Sequence, residues 1–120
     1  MNKKDDLVFI KHILESIDAI EEFSQGLNKE ELASSRLKQS AIVREIEVIG
    51  EAAKNISSKL KNKNKDIEWR AIVGTRDKMI HHYFGVDLGI VFSIAKKEVP
   101  ILKKQIVRIK KALEISKKME

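Results

Sequence analysis

The sequence predicts an all-α protein, a four- or five-helix bundle built as one domain over residues 1–120. Three observations carry that expectation. A chain of 120 residues falls in the size range of a single hydrophobic core, and folding at this size removes roughly two-thirds of the unfolded chain's surface from water. Aromatic residues are few (four Phe, one Tyr, one Trp), while Ile, Leu, Glu and Lys dominate, an alphabet that favours helices over strands. Apolar positions recur at three- and four-residue steps, the spacing of a buried stripe on a helix.

The first helix starts near Leu7, with Ile10, Ile13, Leu14, Ile17, Ile20 and the nearby Phe23 facing inward until Gln25-Gly26 ends it. Asn28 followed by Glu31 has the form of a capping signal and opens a short helix or helical turn. Ile42, Ile46, Ile49, Ala53, Ile56 and Leu60 step by four, three, four, three and four, so one helix of about five turns is expected across them. Lys61 to Lys65 alternates Lys with Asn and reads as a solvated loop. Ile67 to Val73 is expected to be a short helical or turn segment carrying the only Trp. Gly74-Thr75 should break it, so that a new helix runs from Arg76 to Phe84 and stops at Gly85. Leu88 to Lys97 forms a further helix with Leu88, Val91, Phe92 and Ala95 inward. Pro100 fits the first turn of a last helix striped by Leu102, Ile106, Ile109 and Leu113. Gly50 in a helix interior costs roughly 1 kcal/mol relative to Ala, which points to a close approach by another helix or a second copy.

Composition excludes several classes. With no Cys there are no disulfides and no thiolate metal sites, and nothing argues for an oxidising compartment. The charged start, Met1 to Asp6, leads straight into an amphipathic segment, so no signal-peptide core is expected. No apolar run approaches membrane-spanning length, and a cytoplasmic protein is expected. The net charge of +6 is placed unevenly: residues 101–120 hold Lys103, Lys104, Arg108, Lys110, Lys111, Lys117 and Lys118 against Glu114 and Glu120, and Lys59, Lys61, Lys63 and Lys65 form a second basic cluster. An acidic polymer is a fitting partner for such a surface, although Lys-rich helical surfaces also occur with no such role.

Groups able to move protons or stabilise charge concentrate in Thr75-Arg76-Asp77-Lys78-Met79-Ile80-His81-His82-Tyr83. At about 100° per residue, Arg76 and Tyr83 return to nearly the same helix face, and Asp77 stacks one turn below His81. His81 lies about 140° round from Arg76, which favours a site completed by helix distortion, by a wrapped Arg or by a second chain. The set suits phosphodiester cleavage without a metal. Imidazole can take a proton from a ribose 2′-OH or give one to the leaving 5′-oxygen. A guanidinium holds a phosphate in two-point contact and stabilises the charge that develops on it. Asp77 can fix the tautomer of His81 or hold Arg76. Spacing alone is weak support, because an Arg and a His five residues apart occur in many helices. His82 reads equally as a solvent-facing neighbour, His12 as a structural residue, and Glu47 and Glu51 either as a solvated pair or as contacts of Arg76 or the basic helices. No metal site is expected, as there is no His-Glu-x-x-His, no Cys and no paired-carboxylate cluster, and no phosphate-binding glycine motif is present.

Arg76-x4-His81-x-Tyr83 resembles the signature of HepT toxins, the ribonuclease half of toxin-antitoxin pairs that join a HEPN protein to a minimal nucleotidyltransferase. Arg44-Glu-Ile-Glu-Val-Ile-Gly-Glu-Ala-Ala53 is similar to that family's second-helix pattern, and Ile67-Glu-Trp-Arg-Ala-Ile-Val-Gly-Thr-Arg-Asp77 to its approach to the active Arg. The trailing His-Tyr-Phe-Gly-Val-Asp87 resembles the family too. The likeness runs from about residue 5 to residue 115, with three blocks in the right order and spacing. It implies an α-helical HEPN-type homodimer with a shared cleft, in which Arg76 and His81, supported by Asp77, cleave RNA with no metal and no cofactor. It also implies a partner antitoxin, a nucleotidyltransferase of a type VII-like system, that moves AMP from ATP onto Tyr83. The added bulk and negative charge beside Arg76 would occupy the phosphate site. Two other functions fit the residues: a non-catalytic helical partner or scaffold subunit of a nucleotidyltransferase, and a plain RNA-binding dimer.

Overall fold

In the computed structural model the backbone is described for residues 5–81 and 87–119, with the side chains of the same residues except 76–81. Every regular element among the described residues is helical, as the composition and periodicity predict. α1 runs Asp6–Ser24, α2 Lys29–Ser34, α3 Arg36–Lys54, α4 Ser58–Lys63, α5 Trp69–His81, α6 Leu88–Ser93 and α7 Val99–Lys118, with a π-helical turn at Ile94–Glu98 joining the last two.

α1 begins where Asp5 accepts a hydrogen bond from the Leu7 amide at 2.9 Å, and it buries Leu7, Ile10, Ile13, Ile17 and Ile20. The chain leaves it through Gly26 at φ +69°, a left-handed turn conformation that glycine adopts without a steric penalty. Asn28 and Glu31 form the expected capping box: the Glu31 amide donates to Asn28 Oδ1 at 2.8 Å and the Asn28 amide to Glu31 Oε1 at 3.2 Å. α3 then buries Ile42, Val43, Ile46, Ile49, Gly50, Ala52 and Ala53, packing against α1 on one side and α5 on the other.

The seam expected over Ile42 to Leu60 is not one helix. α3 stops at Lys54, and Ile56 and Leu60 are buried from a turn and from α4 instead. The reason is side-chain chemistry that periodicity does not weigh. Ser57 accepts from the Leu60 amide at 3.2 Å and caps a new helix, while its own amide and hydroxyl donate to the Asp6 carboxylate at 2.9 and 2.5 Å. The same cap carries helix through Lys63, so the loop expected at Lys61 to Lys65 is shorter, and Trp69 closes it by donating its indole N–H to the Asn64 carbonyl at 3.0 Å.

The last two expected helices are one helical path. α6, capped by Asp87, passes into the π-helical turn, in which the Val99 amide reaches back five residues to Ile94, and on into α7. Pro100 stands in the first turn of α7 as expected. It has no N–H for the Lys96 carbonyl, and its ring would press on that carbonyl in a regular helix; widening the preceding turn relieves both problems. Val91, Ala95, Val99, Ile106 and Ile109 complete the core, and α7 lies along α1.

Ion pairs fasten α7 from its sides: Lys103 to Asp18 and Glu21 of α1, Lys117 to Asp5, and Arg108 to Asp66 in the loop before α5 at 2.8 Å. Hydrogen bonds to Glu21 and Asp18 raise the Lys103 pKa. The hydrogen bond from Arg108 holds the Asp66 carboxyl below its ordinary value. No helix among the described residues is long and apolar enough to cross a membrane.

Because Asp66 has a lowered pKa in the folded state, its contribution is complete above the ordinary value of 3.8 and is lost as pH falls through the folded value. Asp66→Asn should therefore lower the denaturation midpoint at pH 7, and the gap from the parent should close below about pH 3.8 when both are titrated together. Gly74 lies inside α5, and a Cβ there meets nothing within 4 Å. Gly74→Ala should stabilise the fold by about 1 kcal/mol, read as a rise of a few degrees in Tm.

Candidate active site

Arg76, Asp77 and His81 all lie on α5, whose backbone is helical from Trp69 without interruption. This corrects the expected break at Gly74-Thr75. The Thr75 hydroxyl donates to the Ala71 carbonyl one turn back at 2.8 Å, so the hydroxyl is satisfied inside the helix and does not compete with it. Gly74 costs some helix stability without ending the helix. The continuity matters to the site in two ways. Arg76 sits well inside a helix, so free amides of a helix N-terminus add nothing to an anion site there. The unbroken register also keeps the Arg76 and His81 positions about 140° apart around one axis, while Asp77 and His81 stay one turn apart. Within one chain the backbone does not bring Arg76 and His81 to one face. The side chains of Arg76, Asp77 and His81, and all of His82 and Tyr83, lie outside the described residues.

Two concave surfaces adjoin the helices that position these residues. The first lies among α3, α5, the π-helical turn and α7, with a volume of about 270 Å³. Its floor is apolar, formed by residues such as Ile46, Ile49, Ile72, Val99 and Leu102, and Asp66, Glu68 and Glu98 stand among its lining. Among the described residues the lining therefore offers carboxylates, which repel a phosphodiester, and aliphatic side chains, which move no protons.

The second is a groove between α1 and α3 lined by Phe9, His12, Arg44, Glu47, Glu51 and Asn55, among others. His12 meets the Phe9 ring edge-on at 6.3 Å, and the Asn55 side chain donates to the Glu51 carbonyl at 2.9 Å. Glu47 and Glu51 are thus placed together on the α1 side of α3, sharing their groove with Arg44. No sequence pattern groups His12 with Arg44, which stand on different helices far apart in the chain; only the packing of α1 on α3 joins them. The Arg108–Asp66 tether, 42 residues apart in the chain, is equally without a local signal. It fixes the approach to α5 by holding the preceding loop against α7. Among the described residues no group of three or more His, Cys, Asp or Glu is placed to hold a metal ion.

Comparison with known proteins gives the chain a family. Residues 13–109 match the family described as Ribonuclease HepT-like, a span that runs from α1 into α7 and includes all of α5. The chain is 40% identical over 114 residues to "Putative RNase MJ1216" of Methanocaldococcus jannaschii, covering 95% of this chain and 94% of that one. It is 36% identical over 109 residues to "Probable ribonuclease HepT" of Thermococcus cleftensis, covering 91% and 99%. With "Gamma-glutamylcyclotransferase and putative RNase MJ0434" of Methanocaldococcus jannaschii the identity is 39% over 115 residues, 96% of this chain but 52% of the relative, so the chain spans about half of that protein's length. No solved structure matches the chain. A helical fold and a family match over most of its length place this chain in the HepT-like ribonuclease family.

Proposed function

We propose that the protein is a metal-independent endoribonuclease that acts as the toxin of a toxin-antitoxin pair, with its chemistry carried by α5. The observation that supports this reading is the family match, which spans the helix on which Arg76, Asp77 and His81 lie. In this reading Arg76 holds the scissile phosphate and offsets the charge that builds on its oxygens as the 2′-oxygen attacks phosphorus. One His81 accepts the 2′-OH proton, and a second imidazole returns a proton to the departing 5′-oxygen. Asp77, one turn before His81, orients the ring.

The 140° separation on an unbroken helix favours a homodimer. Two α5 helices facing each other across an axis would supply an Arg76 from one copy and a His81 from the other, so the shared cleft would need no distortion of either helix. The regulatory half of the reading is a nucleotidyltransferase antitoxin that attaches AMP to Tyr83, placing a phosphate where the substrate phosphate would bind.

In excess EDTA the purified protein should cut total RNA, and His81→Ala and Arg76→Ala should each lower the rate by about 10²–10⁴-fold with the far-ultraviolet helical signal unchanged. Full activity in either variant would remove that residue from the mechanism, and an inert parent protein of confirmed unmodified mass would favour a non-catalytic partner of the nucleotidyltransferase. On incubation with the antitoxin and ATP, intact-mass measurement should show AMP added to the parent chain and none added to Tyr83→Phe.

A further inference from the structure

The excess positive charge of the chain is concentrated on one element. Residues 96–118 contain nine Lys or Arg against Glu98 and Glu114, more than the whole chain's net +6, so the remainder is balanced to slightly acidic. Among these cations the structure sets two groups of three apart, while Lys96 donates to the Ser24 carbonyl. Lys103, Arg108 and Lys117 point sideways from α7 and are held by carboxylates of α1, its N-cap and the loop before α5. Lys104, Lys111 and Lys118 are exposed and have no carboxylate within ion-pair distance among the described residues. They recur every seven residues, so they line one ridge opposite the buried Ile106 and Ile109. Successive lysines are about 10.5 Å apart along the axis, giving a straight row of about 21 Å.

We propose that this ridge is an RNA-docking surface separate from α5, which holds the phosphate backbone of a single-stranded substrate while α5 acts on it. The proposal relies on the ribonuclease reading only for the identity of the polymer. Unneutralised lysines in a row repel one another, a cost that a polyanion lying along them removes, with release of counterions as the driving force. The apolar residues on the same helix favour a nucleic acid over a protein partner. Ile101 is exposed at one end of α7 and Ile115 and Met119 at the other, about 21 Å or more apart with Lys104 and Lys111 between them, so no contiguous apolar patch runs along the ridge for a protein to cover. Arg108 and Gln105 bind Asp66 and so fasten α7 beside the loop leading into α5, which keeps the ridge in fixed relation to that helix.

The test is binding of a fluorescent 2′-O-methyl RNA of about twenty nucleotides, which has the same phosphates but no 2′-OH to attack, from low to moderate salt. The triple variant Lys104→Gln/Lys111→Gln/Lys118→Gln should bind on the order of tenfold more weakly, and its slope of log affinity against log salt should be shallower by about 2, the loss expected for three single-strand phosphate contacts. The parallel variant Lys59→Gln/Lys61→Gln/Lys63→Gln removes the same charge elsewhere and should change both quantities much less. Equal weakening by the two triples would overturn the proposal in favour of undirected attraction. Unchanged RNA affinity in the α7 triple would also overturn it and leave the ridge to an acidic protein. Since the probe cannot be cleaved, either result is independent of whether the protein cuts RNA.

Discussion

α3 packs against α1 on one side and α5 on the other, so it must bury more of its circumference than the single stripe an outer helix needs. Large side chains on every buried position would force its neighbours apart. The helix meets this constraint with large residues at Ile42, Ile46 and Ile49 and small ones at Gly50, Ala52 and Ala53, all of them buried. Gly50, which has a cost in helix propensity, fits that division as a point where thickness is reduced. The position of α5, and with it the placement of Arg76 and His81, depends on how closely α3 lets it approach. The groove on the other side, between α1 and α3, has its width set by the same helix.

Features with a short physical period are legible in the sequence. The α1 stripe is buried at the spaced isoleucines, and the Asn28–Glu31 cap forms because both partners lie within one turn. Expectation and structure part where one side chain overrides a pattern. Apolar spacing continues through Ile56 and Leu60, but Ser57 has a distant carboxylate, Asp6, to hold it in a cap, and no window over residues 42–60 contains that residue. Gly74-Thr75 has the form of a break because glycine and threonine are weak helix formers, yet the helix runs through both, with the Thr75 hydroxyl satisfied by the Ala71 carbonyl one turn back. The candidate site divides in the same way. Residue chemistry and spacing single out Arg76, Asp77 and His81, and the resemblance gives them a role. The unbroken helix beneath them has no signature in residue type, and it sharpens the case for a second chain.

Charge is organised by a similar economy of position. Cations on the flanks of α7 are consumed in holding the bundle together, with Lys103 bridging two carboxylates of α1 and Arg108 reaching Asp66. Carboxylates stand around the cavity behind α5, where a polyanion would be repelled. The outward ridge of α7 carries, among the described residues, none of the carboxylate contacts that neutralise its neighbours. A protein of modest net charge can in this way present strongly different potentials on adjacent surfaces.

The π-helical turn at Ile94–Glu98 fits one more residue into a turn than an α-helix would, so α7 keeps the facing of a continuous helix one residue shorter. Deleting one codon inside this turn would close it to an ordinary helical turn and leave the facing of α7, with Ile106 and Ile109, nearly unchanged, but it would press the Pro100 ring against the carbonyl four residues before it, at a cost of about 3 kcal/mol. A codon lost from the polar stretch near Lys63 would meet no such penalty, since that stretch ends a short helix in a surface loop. Among descendants of this gene, length variation should therefore accumulate around the Asn-Lys segment and be purged from the handful of codons before Pro100, even though neither stretch contains a residue assigned to the chemistry.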